Sequence, residues 1–227
     1  MSDHGAQIDE AAAGDASAAV PAGLAEFQNR RKKDTRSRLL RAAATEFCER
    51  GYAPVSVEDI ASGAGVSRMT FYRHFGGKAE IASELFRANS RAHMPMIAAI
   101  GQKDFQDRST VREWIASIFA IDREQRAILQ AFMQANVIES GFAQEGHAFI
   151  DAIIEELGKT IPAFALDARA QSDRRRYVEA SLLLYEILDQ SNHAARSLSL
   201  AADFLIVDIL TDHFINFVGK RAHAPSN

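Results

Sequence analysis

Apolar residues return every three or four positions from residue 34 onward, the repeat of helices that bury one face. Leu39, Leu40, Ala43, Ala44 and Phe47 predict a first helix over residues 35–50, with Gly51 placed where a left-handed cap ends it. Ser56 predicts the N-cap of a second helix, since Glu58 and Asp59 in the next turn suit the helix dipole. Ile60, Ala61 and Ala64 supply that helix's inner face, Gly65 breaks it, and Ser67 caps a third short helix running to Phe75. Gly76 and Gly77 end the third helix, and a fourth starts near Lys78 with Ile81, Leu85 and Phe86 turned inward. Further helices are expected over residues 110–121, 123–139, 142–159, 172–191 and 198–218. No alternating strand pattern persists, so the expected fold class is all-α.

Residues 1–26 carry no such period and are rich in Ala, Gly, Asp and Ser, which predicts a disordered tail. Hydrophobic residues make up 47% of the 227, enough for a real core. No apolar run is long enough for a bilayer and the N-terminus lacks a signal-peptide layout, so a soluble cytoplasmic protein without membrane partners is expected. The single cysteine, Cys48, follows Phe47 in a helical pattern and reads as a buried structural thiol rather than a redox sensor.

Charge divides the chain more sharply than its net −4 suggests. Residues 30–78 hold eleven Lys and Arg against five acids, which makes that stretch +6 and leaves −10 for the rest. A basic module on an acidic body is expected where one part meets phosphate and another does something else. The run Arg30-Arg31-Lys32-Lys33 then reads as general attraction to DNA or as an arm for the minor groove.

Two short helices joined at a glycine turn form a helix-turn-helix over residues 56–75. The segment SVEDIASGAGVSRMTFYRHF, with LLRAAA, Phe47 and Gly51-Tyr52 before it and Gly76-Gly77-Lys78 after it, resembles the TetR family over residues 33–93. Gly63 departs from the pattern and should weaken its helix by about 1 kcal/mol. In the third helix Phe71 and Phe75 make a buried face, leaving Arg68, Met69, Thr70, Tyr72, Arg73 and His74 outward. Arg68 can pair with guanine or phosphate, and Thr70 can offer a methyl to thymine or a hydroxyl to a base edge. Arg73 reads equally well as a DNA contact or as a surface charge. The resemblance implies backbone contacts for Tyr72 and His74 and a phosphate-binding role for Lys78. Ser56, Val57 and Ser67 stand at the helix starts, where capping alone accounts for the serines but a phosphate contact is compatible with it.

For residues 94–222 the resemblance implies an effector-binding and dimerisation domain. Trp114, Phe119, Phe132, Met133, Phe149 and Tyr185 are the candidate pocket residues, suited to a hydrophobic or amphipathic molecule. Trp114 and Tyr185 stand out because each adds a hydrogen-bonding handle. One stripe of Tyr177, Ala180, Leu184 and Ile187 and another of Phe204, Val207, Leu210, Phe214 and Phe217 read as core, dimer interface, or both. No metal spacing, phosphate-cradling loop or nucleophile with a base appears, so no cofactor, metal or catalytic group is expected. The function so implied is a homodimeric repressor of transcription that binds a palindromic double-stranded operator and is released by a small effector. An activator or effector-independent DNA binder is the alternative, and an all-helical enzyme the remote one.

Overall fold

The computed structural model describes residues 22–196 and 203–219, with side chains from Arg30 onward. Among the described residues nine α-helices follow one another: α1 (Ala22–Arg50), α2 (Val57–Gly63), α3 (Arg68–Tyr72), α4 (Lys78–Ala98), α5 (Arg108–Glu124), α6 (Arg126–Ile138), α7 (Ala143–Gly158), α8 (Arg174–Arg196) and α9 (Asp203–Gly219). Short 3-10 turns at Ala99–Gln102 and Pro162–Phe164 complete the described residues, which hold no strand. The all-α expectation is met.

Helix α1 starts well before the expected residue 35. Residues 24–33 contain neither proline nor a β-branched side chain, so helical hydrogen bonding carries through the basic run. The anticipated tail is therefore shorter at its inner end: residues 22–26 are helical, while residues 1–21 lie outside the described residues. At the other end α3 stops at Tyr72, three residues earlier than expected. The expected start of the last helix, residues 198–202, also lies outside the described residues.

Apolar side chains from α1 to α4 form the core of an N-terminal head around Leu39, Phe47, Tyr52, Ile60, Phe71 and Phe75. Burying each large apolar side chain contributes about 1.5–3 kcal/mol. Two turns in this head need glycine: Gly51 at φ +82° ends α1, and Gly65 at φ +62° separates α2 from α3. Cys48 is exposed, not buried, because its position faces away from the stripe that Leu39, Ala43 and Phe47 pack inward. Partial desolvation and then Glu49 push its thiol pKa up, which disfavours the reactive thiolate as well.

Helices α5, α8 and α9 pack together in the acidic body around Trp114, Ile115, Leu184, Ile187 and Phe214. The expected division at residue 93 falls inside α4, which runs unbroken from the head into the body. Helix α6 reaches back in the other direction: Ala131, Phe132 and Ala135 belong to the core of the head.

Candidate nucleic-acid interface and ligand cavity

The head's outer surface is set by two helix caps. Ser56 Oγ accepts the Asp59 amide at 3.1 Å, while the Ser56 amide donates to Asp59 Oδ2 at 2.8 Å, a reciprocal capping box. The Ser56 hydroxyl and amide, helped by Arg50, hold the Asp59 carboxyl down at about 2. Ser67 Oγ accepts the Thr70 amide at 3.1 Å and starts α3. Below that helix Phe71 and Phe75 are buried with ring centres 5.8 Å apart. Met69 is 77% exposed, Arg68, Tyr72 and Arg73 are exposed, and Thr70 is half-buried. Arg68 pairs with Glu58 at 2.7 Å and lies 5.5 Å from the centre of the Tyr72 ring.

Two expected DNA contacts sit differently. His74 is buried rather than outward, because the chain turns at the end of α3 and brings it under the head. Its Nδ1 has no hydrogen-bonding partner among the described residues, and its carbonyl accepts Arg36 Nη1 at 2.7 Å. Burial, then Arg73, Arg36 and Lys32, lower the pKa of its imidazole. Lys78 also turns inward. Its Nζ donates to the carbonyls of Tyr52 at 2.9 Å and Ala53 at 3.3 Å, and stands 4.2 Å from the Tyr52 ring centre. Desolvation lowers its pKa, with Glu139 opposing. The basic count of the head is partly structural in the same way. Arg36 binds Glu84 and covers the Phe75 ring at 4.2 Å, and Arg38 binds the carbonyls of Ala64 and Gly65 at the end of α2.

Helices α4 to α8 enclose a cavity of about 360 Å³. Its aromatic wall is Phe86, Phe132, Phe142 and Phe149, with the Phe86 ring edge-on to the other three at 5.3, 5.5 and 6.1 Å. Met133 and Tyr185 line it too, so four of the six expected pocket residues face it. Trp114 and Phe119 do not. The Trp114 indole Nε1 donates to the Ile97 carbonyl at 3.1 Å and its ring packs on Phe214, so its polar handle is satisfied within the core. Phe119 is buried in the same core.

Asn89, His93, Asp122, Asn136 and Asn192 are among the polar residues that line the cavity. His93 Nδ1 lies 2.7 Å from the Asn89 carbonyl, which only accepts, so this nitrogen carries the proton. In the neutral ring Nε2 then accepts from the Gln125 amide at 2.9 Å. Asp122 Oδ2 accepts the Ser191 hydroxyl at 2.6 Å. Burial raises the pKa of this carboxyl, against the Ser191 bond and the nearby His93.

The sequence profile described as bacterial regulatory proteins, tetR family, matches residues 39–85, the stretch from the inner face of α1 into α4. The transcriptional repressor KstR2 of Mycobacterium tuberculosis is 46% identical over 52 residues. A TetR-family regulator from Mesorhizobium loti superposes with a TM-score of 0.58 at 16% identity, over 82% of this chain and 97% of that one. Residues 39–85 match the TetR family's N-terminal domain, and the described residues share the fold of TetR-family regulators. A second TetR-family structure, the repressor FadR of Thermus thermophilus solved in complex with lauroyl-CoA, gives a TM-score of 0.53 at 16% identity, over 85% of this chain and all of that one. These two likenesses concern the fold. The match to KstR2 spans 23% of this chain and about a quarter, 26%, of that relative's length.

The expected dimer stripe is mostly protomer core. Ala180, Leu184, Val207 and Phe214 are buried, because that side of α8 and α9 faces α5 and the 3-10 turn at Pro162–Phe164. The Tyr177 hydroxyl donates to Asp151 on α7 at 2.7 Å. Only Phe204 of the six is exposed. The outward sides of the two helices instead carry Val178, Leu182, Leu205 and Ile209.

Sequence reasoning did not place Phe86, Asn89, His93, Asp122, Asn136 or Asn192 at the cavity. A signal was there: Asn89 and His93 stand four apart on α4, and Asp122 lies four residues beyond the buried Ile118 on α5. Polar side chains that interrupt inward faces mark a cavity better than aromatic ones that extend them.

Proposed function

We propose that the chain is a ligand-responsive, homodimeric transcriptional repressor of the cytoplasm, acting on a palindromic DNA operator rather than as an enzyme. The exposed face of α3, with Arg68, Met69, Thr70, Tyr72 and Arg73, enters the major groove, and Ser56, Val57 and Ser67 approach the phosphates from the helix starts. One observation carries the ligand-responsive half of the reading. Phe132 and Phe142 line the cavity and at the same time belong to the apolar core of the head, with Phe86 packed against them. A molecule that displaces these rings acts on the packing of the DNA-reading helices, without a separate relay.

An effector releases the operator only if it binds the DNA-incompetent arrangement more tightly. A second copy joins through Val178, Leu182, Phe204, Leu205 and Ile209, which sets two heads at a fixed spacing. The complex of FadR with lauroyl-CoA is in keeping with a small effector in such a body.

The test is to map where the full-length protein binds on its own genome, then measure affinity for the recovered site by fluorescence anisotropy. Thr70→Ala with Tyr72→Ala should lower that affinity at least about tenfold while the fold persists, since the Thr70 base-edge contact contributes about 1–3 kcal/mol and Tyr72 adds a contact to the DNA backbone. Equal affinity in the double variant would remove α3 as the reading surface.

A further inference from the structure

The cavity's chemistry narrows its ligand. None of its lining side chains is Lys or Arg; its carboxylates are Asp122 and Asp189 and its imidazoles His93 and His147. A carboxylate or phosphate ligand would meet no fixed cation there and would face a negative wall. Asp122 is the sharper feature. It is deep enough for desolvation to dominate its titration, and its one hydrogen bond among the described residues comes from the Ser191 hydroxyl at 2.6 Å. No Lys or Arg pairs with it among the described residues. A partly buried carboxylate with no Lys or Arg partner and only the His93 imidazole nearby is costly, and is retained where something else supplies the counter-charge.

The surroundings are suited to a positively charged head. Asn192 spends its Nδ2 on the Leu188 carbonyl at 2.8 Å, which leaves its amide oxygen to accept. The Phe86, Phe132, Phe142 and Phe149 rings offer π-faces and edges that attract a cation's apolar flanks and accommodate an aromatic or alkyl body. At about 360 Å³ the space suits a small molecule rather than a peptide.

We propose that the cavity binds an amphipathic amine, its ammonium on the Asp122 carboxylate and its apolar body among the four phenylalanines. The proposal rests on the reading of the cavity as the effector site and names the class of effector.

Three isosteric probes test it by isothermal titration calorimetry on the full chain: 4-phenylbutylamine, 4-phenylbutanol and 4-phenylbutyrate. The amine should bind at least about tenfold more tightly than the carboxylate, the least that one close, desolvated charge pair provides. In Asp122→Asn the amine should fall to the affinity of the alcohol, while the alcohol binds as before. Should that variant fail to fold, Ser191→Ala serves, because it removes the hydroxyl that competes for the same oxygen. The ratio of amine to carboxylate affinity should then hold or rise.

Carboxylate binding equal to or tighter than the amine's overturns the proposal. So does an amine preference that survives Asp122→Asn, a ratio that falls in Ser191→Ala, or no amine binding at all. Salt-sensitive DNA binding, measured on the same preparation without probe, keeps the two readings apart. Amine selectivity without DNA binding leaves the ligand class standing and removes the regulator. DNA binding without amine selectivity does the reverse.

Discussion

The Tyr52 hydroxyl, at the end of the first turn of the head, donates to Glu139 Oε1 at the far end of α6 at 2.6 Å. The neighbouring Ala53 amide donates to Gln134 Oε1 at 3.1 Å, so α6 holds the loop between α1 and α2 by two side chains. The same helix carries Phe132, Met133 and Asn136 along the cavity. Tyr52 is fully buried, and burial followed by the bond to Glu139 pushes its phenol well above the ordinary value of 10.

Tyr52→Phe removes the donor but keeps the ring against Phe47. It should lower stability by about 1–2 kcal/mol, the range for a hydrogen bond to a charged group that retains some access to water. If α6 links cavity and head, effector-induced release of the operator should weaken as well. Chemical denaturation measures the first effect and anisotropy with and without effector the second. An unchanged denaturation midpoint would mean that the bond adds nothing to the fold.

Lys78 gives a contrasting expectation, because its ammonium faces the Tyr52 and Ala53 carbonyls rather than solvent. Lys78→Met keeps the stem against the ring and leaves two carbonyls without that donor. It should cost about 1 kcal/mol of stability, discounted for partial exposure. Its effect on the salt dependence of DNA binding should be smaller than that of Arg73→Ala, which should reduce the slope by about 1 if Arg73 meets a phosphate. Equal loss of slope in both variants would show that Lys78 swings out to the phosphate when DNA arrives.

Much of this was legible along the chain because it is local. The caps at Ser56 and Ser67, the glycine turns at Gly51 and Gly65, and the Phe71–Phe75 face depend on residues within four positions of one another. The errors arise where the answer depends on distant partners. Trp114 looked like a ligand handle until its indole N–H proved to have the Ile97 carbonyl across from it. The inward stripes of α8 and α9 were correctly apolar, but periodicity cannot say whether α5 or a second copy covers them. His74 shows a third case: a short helix ends one turn early, and a residue expected outside is carried under the fold.

Asp122 links ligand and stability through pH. Its folded pKa is raised above the ordinary 3.8, mainly by burial, with the Ser191 hydroxyl and His93 opposing. Below 3.8 the carboxyl is neutral in folded and unfolded chains alike and imposes no penalty. As pH rises the unfolded chain ionises freely while the folded one resists, so the native state loses stability through the raised pKa. Asp122→Asn should therefore be more stable than the parent at neutral pH, with the gain vanishing in acid. Thermal melts across that range check this. A variant less stable than its parent at neutral pH would show that the carboxylate is paid for within the protein and does not await a ligand.

The outward faces of α8 and α9 bear on assembly. Val178 and Leu182 stand four apart on one helix, and Leu205 and Ile209 four apart on the other, so each pair projects from one side. Leu182 is 63% exposed, and a charge introduced at such a site normally changes protomer stability by less than about 0.5 kcal/mol. In a two-fold interface the same charge meets its own copy and the nearby Glu179 and Glu186 across the axis. Leu182→Glu should thus leave the melting transition of an isolated protomer almost unmoved yet convert a dimer into monomers in sedimentation experiments. Operator affinity should collapse with it, because a single short recognition helix holds few contacts and the second head no longer adds its own. A Leu182→Glu protein that sediments as the parent does and binds the operator as tightly would place the interface elsewhere on the body.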